Sequence, residues 1–189
     1  MLGEGVIASV GLTAQIGNFA FSFAGLWLAV KWPEIAILRT QERLRQMADL
    51  FARRLTLVML SFAGMALVVF VAGDLLVKLK GAHTQLLHRP FLALYFIYLA
   101  QRLFYEQFAG LAMTENVIPF FKINLLTGLG VLAASLVLTW AYGLWGLLLA
   151  PLIVELSGSA WYTVRRGFQG QPFSVPQFCR AAFYRRNWV

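Results

Sequence analysis

The sequence predicts an all-α protein: a polytopic bundle of about five membrane-spanning helices. Three observations carry this prediction. Hydrophobic residues make up 60% of the 189 and charged residues only 13%, against about 25% charged in an ordinary soluble domain. The apolar residues come in continuous blocks of roughly 19 to 26, and about 20 suffice for a helix to cross the hydrocarbon core. The basic residues gather in the connections between these blocks, where short loops retained in the cytoplasm hold them.

The first block, residues 5–30, closes on Lys31, Trp32 and Pro33, an interfacial anchor followed by a helix breaker. Residues 34–54 are charged with helical spacing. Leu44, Met47, Phe51 and Leu55 fall on one face, and Arg45, Asp49 and Arg53 follow one another at steps of four on another. This pattern predicts an amphipathic helix on the cytoplasmic membrane surface, with a solvated helical linker as the alternative reading of the same spacing. The second span covers 55–73, and a short loop follows to Arg89. The third opens on Pro90, which suits a first helical turn, and covers 90–113. The fourth covers 117–142. The fifth covers 143–164 and holds Pro151, a position for a kink. Residues 167–189, with Pro172, Pro176 and a basic run from Arg180 to Arg186, read as a cytoplasmic tail.

With five crossings, twelve of the sixteen basic residues fall on one side and three on the other; Arg102 lies within a span. The positive-inside rule makes the richer side cytoplasmic. The N-terminus is then outside and the C-terminus inside the cytoplasmic membrane. The first residues carry Glu4 and no Lys or Arg, so the basic start of a cleaved signal is missing.

Several function classes drop out. The net charge of +8 is spread over loops, so it forms no nucleic-acid surface. One cysteine, Cys179, permits no internal disulfide and no cysteine-cluster metal site. His83 and His88 are five apart in a connection, without the spacing of a helical metal pair. No metalloprotease or nucleophile-elbow motif occurs. The expectation is a protein that is not an enzyme and needs no cofactor.

Polar residues inside the spans are the candidate functional residues, because hydrocarbon makes them costly. Gly11, Gln15, Asn18, Ser22 and Gly25 form one stripe of the first span. The stripe suits either a helix–helix seam or the wall of a hydrophilic cavity. Gln101, Arg102, Tyr105, Glu106 and Gln107 sit near the middle of the third span. Arg102 and Glu106 are four apart and can pair. The patch reads either as a structural ion pair or as a contact for a polar substrate. Glu155 lies four residues after Pro151. It reads as an ion-coupling site, as a partner for Arg102, or as an uncharged buried carboxyl. Gly128, Gly130, Ala133, Ala134 and Ser135 in the fourth span read as packing. Trp32, Trp140, Tyr142, Trp145, Trp161 and Tyr162 fall near span borders as an aromatic belt.

The stretch QIGNFAFSFAGLWLAVKWPEIAILRTQERLRQMADLFARRLTLVML resembles the polysaccharide flippases of the multidrug/oligosaccharidyl-lipid/polysaccharide exporter superfamily. The matching features are a span ending at Pro33, the charged helix from Glu42 to Arg54, and a second span opening on Arg53, Arg54 and Leu55. A tight Tyr-Gly-Leu-Trp-Gly turn, Tyr142 to Gly146, fits the later layout. The resemblance covers roughly Gln15 to Arg166 and rests on layout and border residues. It implies part of the second of two related bundles, the N-terminal half belonging to a missing partner segment. It also implies passage of a lipid-linked saccharide across the membrane by alternating access, with membrane lipid as surroundings. It fixes no substrate residue. A small-solute antiporter of the same superfamily and a non-transporting membrane subunit remain alternatives.

Overall fold

A computed structural model describes residues 4–79, 85–114 and 120–169 of the chain. The described residues form seven helices and no strand: α1 (Glu4–Ala29), α2 (Trp32–Thr40), α3 (Leu44–Leu79), α4 (Arg89–Met113), α5 (Phe121–Tyr142), α6 (Leu144–Ser157) and α7 (Ser159–Phe168). By length and composition, four stretches can cross a membrane: Gly5–Thr40, Leu44–Leu75, Phe121–Tyr142 and Leu144–Phe168. The 25-residue α4 equals Leu144–Phe168 in length and exceeds Phe121–Tyr142. Its polar middle keeps it out of that set. Large side chains such as Phe19, Val71, Leu126, Leu136 and Trp140 are exposed, the last at 92%. Such an apolar exterior suits lipid rather than water.

The helices alternate in direction. At one end, Trp32 packs against Gly110, Phe120 meets Tyr162, and Gly167 abuts Phe108. At the other, the Leu87 amide donates to the Thr13 hydroxyl at 3.1 Å, Leu86 packs on Gly73, and Phe91 meets Trp145. The first end carries Lys31, Arg39, Arg43, Arg45, Arg53, Arg54, Lys122, Arg165 and Arg166. The chain therefore traverses the bundle five times, and these nine basic residues share an end, whereas Arg89 opens α4 at the other.

The core lies between α1, α3 and α4. It is built from Ala20, Ala24 and Leu28, from Met47, Phe51, Leu55, Val58 and Phe62, and from Leu92, Phe96, Leu99, Leu103 and Phe108. Small residues on α1 let the backbones approach. A methyl group at Gly17 would lie 2.6 Å from the Tyr95 ring and 2.7 Å from Leu99.

The expected amphipathic helix 34–54 is not one element. The chain breaks at Gln41 to Arg43 and then runs unbroken from Leu44 into the second span. The break is a Schellman turn: the Arg43 amide donates to the Leu38 carbonyl at 2.9 Å and the Glu42 amide to the Arg39 carbonyl at 3.0 Å. Glu42 takes the left-handed position at φ 58°, which favours glycine. The Leu44–Met47–Phe51–Leu55 face exists, but Met47, Phe51 and Leu55 are buried against the other helices, not laid on lipid. Helical spacing shows an apolar face without saying what covers it. Glu42→Gly is expected to raise stability by about 0.5–1 kcal/mol, read as a higher thermal midpoint in detergent.

Other boundaries shift less. The second span continues to Leu79, past the expected end at 73, and the fourth starts at Phe121 among the described residues. Residues 115–119, His83 and the tail beyond 169 lie outside them. In the fifth span, α6 runs through Pro151 and the interruption falls at Gly158 (φ −138°, ψ −75°). Of the small residues on α5, Gly130 meets Val154 of α6, whereas Gly128 faces open space. No α5 residue is buried.

Arg39 ties α2 to the end of α4. Its Nη1 donates to the Leu111 carbonyl at 2.9 Å and to the Thr114 hydroxyl. Both acceptors sit where a helix leaves carbonyls unsatisfied and favours positive charge. Arg39→Ala is expected to cost about 1.5–3 kcal/mol, measured by unfolding in detergent.

Candidate functional site

The polar residues of the third span meet Glu155 near the middle of the bundle. Arg102 and Glu106 lie one turn apart on α4, and the Arg102 Nε donates to Glu106 Oε1 at 2.7 Å. The Arg102 Nη1 also reaches the Tyr98 hydroxyl at 3.5 Å, and Tyr98 donates to Glu155 Oε1 at 3.3 Å. Tyr105, two turns beyond Tyr98, sets a second phenol beside the same carboxyl. Helical spacing brings Tyr98, Arg102 and Tyr105 to the side of α4 that meets α6. Glu155 reaches them from the last turn of α6, just before the Gly158 break.

Exposure differs sharply across this cluster. Glu155 is 8% exposed. The Arg102 and Glu106 side chains are 45% and 36% exposed, so the ion pair opens toward the outside of the bundle. Glu155 is thus not Arg102's direct ion-pair partner; Glu106 is, and Tyr98 links the two. Gln101 is half-buried, with both side-chain polar atoms enclosed and unpaired among the described residues. Gln107 is buried on another side of α4 and stands apart from the cluster.

The α1 stripe does not form the seam within the chain. Gly11, Gln15, Asn18 and Ser22 are exposed, and nothing lies within contact of a methyl group placed at Gly11 or Gly25. Thr13, Gly17, Ala20, Ala24 and Leu28 face the neighbouring helices instead. Two sets of small and polar residues run along α1, and the amides happened to mark the outward one. The Arg102 guanidinium lies 5.9 Å from the centre of the Phe21 ring, a cation–π distance. Phe21 adjoins Ser22 and is one turn from Asn18. The outward stripe of α1 and the open ion pair of α4 therefore border one another.

This arrangement can hold a polar or charged group at mid-depth. Arg102 supplies up to five donors, Glu106 and Glu155 supply acceptors, and Gln15, Asn18 and Ser22 continue the polar surface along α1. Among the described residues, no group of three or more His, Cys, Asp or Glu gathers to hold a metal ion. Tyr98 is the member of the cluster that sequence reasoning passed over. Its signal was its place one turn before Arg102 and two turns before Tyr105.

Comparison of the chain with models of known families, with curated proteins and with solved structures found no match.

Proposed function

We propose that this membrane protein is a transporter, or the C-terminal part of one, that moves a lipid-linked oligosaccharide or polysaccharide precursor across the cytoplasmic membrane by alternating access. The observation that carries this reading is the open Arg102–Glu106 pair beside the exposed Gln15–Asn18–Ser22 stripe at mid-depth. Charges and amides that face outward from a membrane bundle are expensive unless they line a wet cavity or meet another helix. A second bundle packed against this side would close such a cavity, as in transporters built from two rocking halves. The basic end of the bundle is cytoplasmic in this reading. The resemblance in layout to polysaccharide flippases supplies the substrate class.

The test is genetic and chemical. Cells lacking the gene that encodes the chain are expected to accumulate a lipid-linked saccharide on the cytoplasmic leaflet. The wild-type gene should clear it, and Arg102→Ala should not. An unchanged lipid pool in the deletion strain counts against the reading. The antiporter alternative draws its support from Glu155; it expects ion-dependent transport that Glu155→Gln abolishes.

A further inference from the structure

We propose that the groove between α5 and α6 holds the hydrocarbon chain of a lipid-linked substrate whose polar head lies at Arg102 and Glu106. The inference rests on the transport reading above and adds a second subsite to it. The groove has a volume of about 740 Å³, and its lining includes Gly128, Leu132, Ser135, Leu136, Thr139 and Leu147. Nothing lies within contact of a methyl group placed at Gly128, and no residue of α5 is buried. This side of the hairpin is therefore open to the hydrocarbon of the membrane, and its lining is mostly apolar.

Side and depth both join the groove to the polar cluster. Leu147, Pro151 and Glu155 follow one another at steps of four, so they form one line along α6. The edge of the groove is thus on the flank of α6 that carries Glu155, which meets Tyr98 of α4. Gly130 meets Val154, the residue before Glu155, so the Gly128 end of the groove is level with the cluster. From there to Trp140 the groove follows α5 for about 18 Å, at a rise of about 1.5 Å per residue. It runs toward the end of the bundle away from the nine basic residues. A volume of about 740 Å³ over that length gives a section of about 40 Å², about half or less of the section of a helix roughly 10–12 Å across. A hydrocarbon chain fits such a section; a whole transmembrane helix does not. One amphipathic molecule can then place its charged head at the open Arg102–Glu106 pair and its chain along α5.

The test uses the whole chain in native membranes. Cells are fed a radioactive sugar, so that lipid-linked saccharide carries the label. The photoreactive residue benzoylphenylalanine replaces Leu136 in the groove or Leu126, 65% exposed, on the open side of α5. Illumination should fix label to the protein at the Leu136 position and not at the Leu126 position. Arg102→Ala should lower that capture about tenfold or more, because the head is no longer held. Gly128→Phe sets a ring in the groove. Its folded yield should match wild type, since the position faces open space, and saccharide export should fall about tenfold or more. Leu126→Phe should export as wild type does. Equal labelling at both positions, capture of phospholipid alone at the Leu136 position, or full export by Gly128→Phe overturns the groove. If the deletion strain accumulates lipid-linked saccharide and Gly128→Phe clears it fully, the groove falls and the transport reading stands. A lipid pool unchanged by the deletion removes both.

Discussion

Gly146→Ala is expected to break the α5–α6 hairpin. The Cβ of an alanine there would overlap the Leu138 carbonyl and lie 2.7 Å from the Thr139 amide nitrogen. The clashing atoms are backbone, inside a continuous α5, so no side chain can rotate out of the way. Gly143 sits just before, at φ 58°, and its amide donates to the Thr139 carbonyl at 2.9 Å. That left-handed residue turns the chain within a few positions and brings Gly146 against α5. Relief requires the two helices to separate, and α5 has no buried residue with which to hold on elsewhere. A loss of about 3 kcal/mol or more follows, at the upper end for overpacking. It would appear as a collapse in folded yield and a lower thermal midpoint in detergent. Gly128→Ala, on the same hairpin but in open space, should be silent.

The second large effect concerns the ion pair. Arg102→Leu leaves Glu106 without its 2.7 Å partner and removes the donor to Tyr98. A single charge at the centre of a membrane helix costs roughly 2.5–3.5 kcal/mol, so the single variant should express poorly. The double variant Arg102→Leu/Glu106→Leu removes both charges. It should insert and fold at least as well as wild type, because replacing an ion pair with apolar residues is often neutral or stabilising. Transport by the double variant should nevertheless fall about tenfold or more, equivalent to about 1.4 kcal/mol in barrier. Export of the saccharide in a complemented strain is the readout. Full transport by a well-folded double variant would make the pair structural and favour a non-transporting subunit.

Much of the fold was legible because a membrane restricts the options. With lipid as solvent, every backbone group must be satisfied within its own helix, so block length and border residues suffice to place the crossings. Arg89–Met113 and Tyr142–Gly146 fall within a residue or two of their expected places for that reason. The charged segment after Pro33 was harder. Its apolar face was read correctly, but Met47 and Phe51 are covered by protein, and periodicity cannot distinguish protein from a lipid surface. The turn at Glu42 carries no glycine to announce it. The site divides in the same way. Arg102 and Glu106 were paired from their spacing alone. The link from Tyr98 to Glu155 joins residues 57 positions apart, and only the packing of α4 on α6 shows it. The outward direction of Gln15, Asn18 and Ser22 was undecidable from sequence, because Thr13, Gly17, Ala20 and Ala24 offer an equally good seam on the other side of α1.

Transport through this bundle requires that the outward polar stripe meet water. In a Cys179→Ser background, single cysteines at Asn18, Ser22 and, as lipid-facing references, Leu126 and Leu129 would be challenged in intact membranes with a charged, membrane-impermeant maleimide. Rapid labelling of Asn18→Cys and Ser22→Cys, blocked by added lipid-linked saccharide, with both leucine positions protected, is the predicted result. Protection at all four positions would contradict the account, placing the stripe against lipid or a dry helix contact rather than along a transport cavity.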